Sequence, residues 1–248
     1  MYPLVALLRH TMTATKKNPV CVVVGVGPGN GEAIARAFAE AGCAVALLAR
    51  RTELTERIAV ALPGARAYAC DITDEAQVTK VFAQIAEDMG AVDTLVYNAG
   101  KGVWGAVDQI DADGFEQAWR TNTLGLFLAS RQVIPAMKAS AAGNIVVIGA
   151  TASRRGVAGT AAFAPAKMAQ RGLAESMARY LGPLGVHVSL IVVDGIVGGP
   201  ETRAQFTDRA ADAFIDPEAV AATALHLTRQ DRSAWTFELD VRPFNERW

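Results

Sequence analysis

The feature that most constrains this chain is a glycine-rich segment between its first apolar run and the helical pattern that follows. The apolar run, Val20–Val24, predicts a short buried strand. The residues that come directly after it are Gly25, Val26, Gly27, Pro28, Gly29, Asn30 and Gly31. Glycines at a strand-to-helix junction permit a tight turn and a close approach of the main chain to a ligand. The segment therefore predicts that the chain begins with a βαβ unit.

The rest of the chain alternates between apolar runs and amphipathic segments. Further strands are predicted at Ala44–Leu48, Ala67–Cys70, Thr94–Tyr97, Ile145–Ile148, Val186–Val193 and Thr236–Val241. Helices are predicted at Glu32–Ala41, Glu53–Ala61, Glu75–Met89, Asp113–Lys138, Ala161–Leu181 and Pro217–Thr228. This alternation predicts an α/β fold: one Rossmann-type, doubly wound parallel sheet with helices on both faces. We expect a single domain over residues 19–248, preceded by a disordered leader over residues 1–18.

The position of the glycine-rich segment indicates a dinucleotide site. It follows the first strand and opens a helix, whose N-terminus offers free N–H groups and a positive dipole end to a diphosphate. A glycine-rich turn without a ligand is the alternative.

The second strand ends at Leu48, Ala49, Arg50 and Arg51. NAD-binding proteins usually have an acidic residue at this position, which binds the ribose 2′-hydroxyl, but this chain has Ala49 there. The two arginines that follow favour binding of the 2′-phosphate of NADP(H). The alternative is that both arginines are simply solvated.

Composition and charge exclude several other classes of function. The formal net charge is −1 and no basic cluster occurs, so we expect no nucleic-acid partner. No apolar stretch reaches the length of a membrane span, and we expect a cytoplasmic protein without a membrane partner. The three cysteines and the three histidines are scattered along the chain, which predicts reduced thiols and no metal site. A serine hydrolase would need a G-x-S-x-G segment, which does not occur.

The motifs of the chain, taken in order, resemble those of the short-chain dehydrogenase/reductase family. The T-G-x-x-x-G-x-G motif appears as residues 24–31, with Val24 in the threonine position. The N-N-A-G motif appears as Tyr97-Asn98-Ala99-Gly100, and Y-x-x-x-K appears as Phe163-Ala164-Pro165-Ala166-Lys167. The resemblance also covers Asp71-Ile72, Asn122-Thr123-Leu124-Gly125 and the turn at Asp194-Gly195-Ile196. It extends from about Val20 to the C-terminus, and it implies the same fold and a nicotinamide cofactor.

The resemblance also implies which residues bind that cofactor. They are Gly25, Gly27, Gly29, Asn30, Gly31, Arg50, Arg51, Asp71, Ile72, Asn98, Ala99, Gly100, Lys167, Gly195 and Ile196. Within the family, catalysis uses an asparagine, a serine, a tyrosine and a lysine. Asn122 and Lys167 match two of these positions, whereas the serine position holds Ala150 and the tyrosine position holds Phe163. The chain thus resembles a divergent subgroup that lacks the active-site tyrosine.

Nearby residues leave the chemistry open. Thr151 and Ser153 follow the serine position, either as a substitute hydroxyl or as turn residues. Arg154 and Arg155 are candidates for an anionic substrate group or for a solvated surface pair. Trp104 either lines the cleft or anchors a loop. Residues Gly198 to Phe214 occupy the place of the family's substrate lid.

Two hypotheses remain at this stage. One is an NADP(H)-dependent oxidoreductase with an atypical active site and inefficient or altered proton donation, acting on a small molecule that the sequence does not identify. The other is a non-catalytic NADP(H)-binding protein that serves as a sensor or a partner subunit. The resemblance also implies a homodimer or homotetramer, in which the helices Asp113–Lys138 and Ala161–Leu181 pack between subunits.

Overall fold

The computed structural model describes residues 18–246, so the leader expected over residues 1–18 lies, except for Asn18, outside the described part. Seven parallel strands form one sheet in the order β3-β2-β1-β4-β5-β6-β9. They are β1 (Val20–Val24), β2 (Ala44–Ala49), β3 (Arg66–Ala69), β4 (Val92–Tyr97), β5 (Gly143–Ile148), β6 (Val186–Val193) and β9 (Glu238–Val241). Two short strands, β7 (Ile196–Val197) and β8 (Phe214–Ile215), pair separately. The α/β architecture predicted from the sequence is confirmed.

Alternating side chains along β1 divide the hydrophobic core between the two faces of the sheet. Val20, Val22 and Val24 belong to one buried cluster, and Cys21 and Val23 belong to the other. The first cluster contains side chains from α3 (Glu75–Asp88), α5 (Gly125–Ser140) and α6 (Phe163–Leu181). The second contains side chains from α1 (Asn30–Glu40), α2 (Glu53–Ala61) and α8 (Pro217–Leu227). Because the inner strands are covered on both faces, their sequences are largely apolar rather than alternating, whereas the edge strands β3 and β9 are less buried and carry charged residues.

The predicted helix Asp113–Lys138 differs from the structure in one respect. The chain forms α4 (Ala112–Trp119), then a π-helical turn at Arg120–Leu124, and then α5. The Gly125 N–H bonds to the Arg120 carbonyl, five residues back. Such single-turn π-bulges occur frequently at functional sites. This π-turn contains Asn122, one of the residues singled out by the sequence.

The carboxyl edge of the sheet gathers the loops that carry the motifs. The glycine-rich turn follows β1, residues 98–101 follow β4, and a short 3₁₀ turn at Thr151–Ser153 follows β5. After β6 the chain forms β7, α7 (Pro200–Gln205) and β8, and α7 lies within the segment expected as a lid. Ligands of open α/β sheets bind at this edge. None of the helices within residues 18–246 has the length and apolar character needed to cross a bilayer.

Candidate functional site

Two of the glycines after β1 are required by close packing. Gly25 has a φ of 86°, and a methyl group on it would lie 2.5 Å from Ala99 Cα. A methyl group on Gly31 would lie 2.6 Å from the carbonyl oxygen of Gly25. In contrast, a methyl group on Gly27 would meet nothing within 4 Å. The turn thus packs tightly against β4 and α1, while its middle faces open space.

Helix α1 begins at the end of this turn, and no side chain caps its N-terminus. Its N-cap residue is Gly29, which makes no capping hydrogen bond. The side-chain oxygen of Asn30 is buried and has no hydrogen-bond partner among the described residues. Uncapped N–H groups at a helix N-terminus form a ready site for an anion. The local geometry therefore suits a diphosphate group.

A cleft of about 740 Å³ extends from the glycine-rich turn across the carboxyl ends of β1, β2 and β4. The predicted cofactor residues that line it are Gly25, Gly27, Arg50, Arg51, Asp71, Ile72, Asn98, Ala99 and Gly100. Sequence reasoning missed further lining residues: Glu53, Arg57, Thr73, Lys101, Gln117 and Arg120. Six predicted residues do not line this cleft: Gly29, Asn30, Gly31, Lys167, Gly195 and Ile196. The volume falls within the range of small-molecule and cofactor sites.

The outer end of the cleft carries a concentration of positive charge. Arg50 and Arg51 are exposed, and neither forms an ion pair with another residue of the described chain. Arg57 lines the same cleft from α2 and donates from Nε to the main-chain oxygen of Glu53. Its terminal guanidinium nitrogens make no further hydrogen bond within residues 18–246. Three arginines at one end of a cleft favour a phosphate group there.

Asp71 and Asn98 are held in place along the cleft wall by local hydrogen bonds. One carboxylate oxygen of Asp71 accepts from the main-chain N–H and the hydroxyl of Thr73, at 2.9 and 2.8 Å. The Asn98 side chain donates from Nδ2 to the Gly25 carbonyl at 2.7 Å. This bond links the loop after β4 to the glycine-rich turn. The loop after β4 and the glycine-rich turn are therefore joined in one wall of the cleft.

Asn122 and Lys167 meet behind this wall, close to Gly100. A methyl group on Gly100 would lie 3.2 Å from Asn122 Oδ1 and 3.8 Å from Lys167 Nζ. Asn122 Nδ2 donates to the carbonyls of Lys101 and Ala118, whereas its Oδ1 is buried without a partner among the described residues. Burial lowers the pKa of Lys167 to about 7. The structure therefore brings together the two retained positions of the predicted catalytic set.

Phe163 and Ala150 are the two residues that the sequence resemblance assigns to hydroxyl-bearing positions. The Phe163 ring contacts the ring of Trp104, with 4.8 Å between the ring centroids. Lys167 Nζ lies 5.9 Å from the centroid of the same ring. The main-chain N–H of Ala150 donates to Ser153 Oγ at 3.1 Å. Trp104 is two-thirds exposed, at 67%. Trp104 thus contacts the residue in the tyrosine position rather than anchoring a buried loop.

The hydroxyl groups of Thr151, Ser153 and Tyr97 already have hydrogen-bond partners. Thr151 Oγ1 donates its proton to Asp194 Oδ1 at 2.6 Å. Ser153 is buried, and its Oγ accepts from Ala150. Tyr97, in the first position of the N-N-A-G motif, is fully buried and donates to the Thr121 carbonyl. Burial also raises the pKa of Tyr97 well above its usual value. In this conformation Thr151 and Tyr97 each direct their one hydroxyl proton to another acceptor.

The two arginines after the 3₁₀ turn differ in their surroundings. Arg154 donates to Glu238 at 2.7 Å and to Asp240 at 2.8 Å, so its exposed guanidinium group already has two carboxylate partners. These carboxylates raise its pKa, with the hydrogen bond to Glu238 as the main cause. Arg155 is exposed. The long separation of Arg154 from strand β9 along the chain explains why sequence reasoning missed this pairing.

The chain is similar to several known proteins over most of its length. A family model described as short chain dehydrogenase matches residues 19–211. Meso-2,3-butanediol dehydrogenase of Serratia marcescens is 32% identical over 225 residues, which cover 87% of this chain and 89% of that protein. A metagenomic short-chain oxidoreductase in complex with NADP is 29% identical with a TM-score of 0.79, covering 93% of this chain and 99% of that chain. A short-chain dehydrogenase from Rhodopseudomonas palustris is 30% identical, also with a TM-score of 0.79, covering 92% and 100%.

Proposed function

The chain belongs to the short-chain dehydrogenase family, and we propose that it is an NADP(H)-dependent oxidoreductase of a divergent subgroup with an atypical active site. The observation that carries the proposal is that retained and altered positions of the predicted catalytic set occur together beside the cofactor cleft. The glycine-rich turn lines the cleft, Asn122 and Lys167 lie beside Gly100 on its wall, and the resemblance assigns Ala150 and Phe163 to positions where hydroxyl groups would act. The cofactor apparatus is therefore intact and the proton donor is altered.

The residues of the cleft fit NADP(H) in three respects. The uncapped N-terminus of α1 suits the diphosphate. Arg50 and Arg51, with Arg57 beside them, suit the 2′-phosphate. Asn122 Oδ1 is a buried acceptor without a partner among residues 18–246, and it lies with Lys167 Nζ beside Gly100, where a ligand hydroxyl group would satisfy both. When bound, NADP(H) supplies a hydride to its substrate or accepts one from it.

The chain's own residues bind and orient the reactants but supply no phenolic proton. Phenylalanine has no exchangeable proton, and alanine has no hydroxyl to orient a substrate carbonyl. A general acid contributes about 10²–10⁴ to a rate, whereas the positioning of two reactants side by side is independent of it. Lys167 keeps a role in binding the cofactor ribose. The proposed enzyme therefore reduces or oxidises a small molecule with proton exchange through solvent.

The second candidate function is a non-catalytic NADP(H)-binding protein. It is favoured by the engagement of the neighbouring hydroxyls, because Thr151 bonds to Asp194 and Tyr97 bonds to Thr121. Such a protein binds NADP(H) without turnover and acts as a sensor of the cofactor or as a partner subunit of another protein.

Turnover distinguishes the two candidates. The loss of NADPH absorbance is followed with a mixed panel of aldehydes, ketones, quinones and enoyl compounds. Turnover that depends on both enzyme and substrate supports the oxidoreductase. NADPH binding without turnover on any compound supports the non-catalytic protein, and the absence of NADP(H) binding contradicts both.

We propose further that the protein forms a homodimer or homotetramer through α4, α5 and α6. Large apolar side chains are exposed on these helices: Phe115, Trp119, Phe127, Met168 and Tyr180. Apolar patches of this kind often mark interfaces between proteins. Light scattering at micromolar concentration tests this, and a monomeric mass would contradict it. A Phe127→Lys variant is expected to reduce the mass by weakening the interface.

A further inference from the structure

Gln170 is a buried polar residue on α6 that the proposed function does not use. It follows Lys167 by three residues and is fully buried. Its buried neighbours on the helix, Ala166 and Ala174, are apolar. Burial of an amide costs free energy unless its donor and acceptor are both satisfied. An apolar residue would avoid that cost, so the contacts of this amide are informative.

Both ends of the Gln170 amide are bonded to the retained active-site positions. Its Oε1 accepts from Lys167 Nζ at 3.0 Å. Its Nε2 donates to the main-chain oxygen of Asn122 at 2.9 Å. The side chain therefore forms a bridge between the lysine and the π-turn.

The π-turn explains why the Asn122 carbonyl accepts from a side chain. In this wider turn the Gly125 N–H bonds to Arg120, five residues back. Two successive carbonyls of the turn accept from side chains instead: Thr121 from Tyr97 and Asn122 from Gln170. Buried carbonyls need such partners. Gln170 thus satisfies the turn and binds the lysine with one amide.

The remaining contacts of Lys167 define what the bridge does. An ammonium group has three protons to donate. The Ile148 carbonyl accepts one at 2.9 Å, and Gln170 Oε1 accepts another. The third is left for the region beside Gly100, which lies on the cleft wall. We propose that Gln170 is a positioning residue that fixes the Lys167 ammonium group and directs its remaining proton toward the cleft.

The charged groups on the surrounding elements are engaged elsewhere. Lys101 after β4 bonds to Gln117. Arg120 of the π-turn forms an ion pair with Glu116 and donates to the Thr73 carbonyl. Arg171 of α6 donates to Glu238, and Asp194 after β6 accepts from Thr151. Burial alone accounts for the lowered pKa of Lys167. Against that burial, a charge-assisted bond to Gln170 Oε1 favours the protonated lysine.

The test is the titration of Lys167 in the protein without cofactor, followed through the ¹³C signal of its ε-carbon. In Gln170→Met the acceptor is lost, so the midpoint falls by about one pH unit, the size expected for a hydrogen bond to a charged group. In Gln170→Glu a carboxylate faces the ammonium group, and the midpoint rises by about one unit or more. The signal is assigned by its absence in Lys167→Met.

The matched control is Thr123→Val. Thr123 Oγ1 donates to the Ala166 carbonyl at 2.8 Å, so this variant also removes one buried bond between the π-turn and α6 without contact to the lysine. Its Lys167 midpoint stays at the wild-type value. Wild-type midpoints in both Gln170 variants, or equal shifts in Thr123→Val, would overturn the proposal. If Gln170→Met does not fold, Gln170→Glu decides the question.

The role of Lys167 in cofactor binding rests on the proposed function, but this titration does not. Absence of NADPH binding to the wild-type protein would refute the proposed function and leave the titration result intact. Where the wild type does bind, Gln170→Met is expected to weaken NADPH binding by about tenfold at neutral pH, equivalent to one lost hydrogen bond to a charged group. Thr123→Val is expected to bind as the wild type does.

Discussion

Restoring the two missing hydroxyls tests directly whether their loss limits this protein as a carbonyl reductase. The double variant Phe163→Tyr, Ala150→Ser adds one oxygen at the ring that contacts Trp104 and one at the end of β5. Lys167 Nζ lies 5.9 Å from the centroid of the Phe163 ring, so a phenol there would lie beside a retained cation. That arrangement favours transfer of the phenolic proton.

The size of the expected gain follows from general-acid catalysis. Such a group contributes about 10²–10⁴ in rate. We expect the lower limit, about 10²-fold or roughly 2.7 kcal/mol of transition-state stabilisation, because Trp104 packs on the ring and the Lys167 ammonium is already bonded to Ile148 and Gln170. Each single variant is expected to gain less in rate than the double variant, since the effects of residues that act together are not additive.

The assay is NADPH oxidation with aldehydes and ketones. Phe244→Tyr is the matched control, because it adds the same hydroxyl to an exposed phenylalanine that lies outside the cleft and outside the proposed subunit interface. It should leave the rate unchanged. A folded, NADPH-binding double variant with no gain on any substrate would refute the reasoning. Rapid reduction of a simple ketone by the wild type would also refute it, because another donor would then already act.

Two further predictions concern the framework of the cleft. Tyr97→Phe leaves the Thr121 carbonyl without its side-chain donor, so we expect a loss of about 1–3 kcal/mol in urea unfolding, and unchanged stability would contradict the role of this bond. Burial alone would raise the pKa of Glu238, but hydrogen bonds from Arg171 and Arg154 outweigh it and lower the pKa. The carboxylate therefore stabilises the fold above the unfolded pKa of about 4.3, and this contribution disappears as pH falls through the folded value. Glu238→Gln should flatten that part of the stability profile, and an unchanged acid limb would argue against it.

The inner strands could be predicted well because they are buried on both faces of the sheet. Val20–Val24 and Val186–Val193 have the predicted bounds, since a continuous apolar run between turns has few other outcomes. The π-turn could not be predicted. It adds one residue to a single helical turn, and Asp113–Lys138 keeps a helical pattern on both sides of Arg120–Leu124. Periodicity over a long window does not detect so local a change.

The residues around the cleft differ in the same way. Some positions follow from the local sequence, whereas others depend on contacts between distant parts of the chain. Residues of the glycine-rich turn and of the segment after β4 follow strand ends, so their place at one edge follows from the parallel sheet. The pairing of Arg154 with Glu238 joins residues 84 positions apart, and no local pattern contains it. In the sequence Gln170 is only a polar residue three positions after Lys167 in a helical segment. Only the three-dimensional structure shows that both ends of its amide are bonded.

The most direct test of the account is calorimetry of the wild-type protein with NADPH and with NADH. Arg50 and Arg51 are exposed at the end of the cleft, and an acidic residue is missing at Ala49. A 2′-phosphate bonded by arginine should therefore give NADPH an affinity about tenfold or more above that of NADH. The double variant Ala49→Asp, Arg50→Ala should reverse the preference. Equal wild-type affinities, or no binding of either cofactor, would contradict the account.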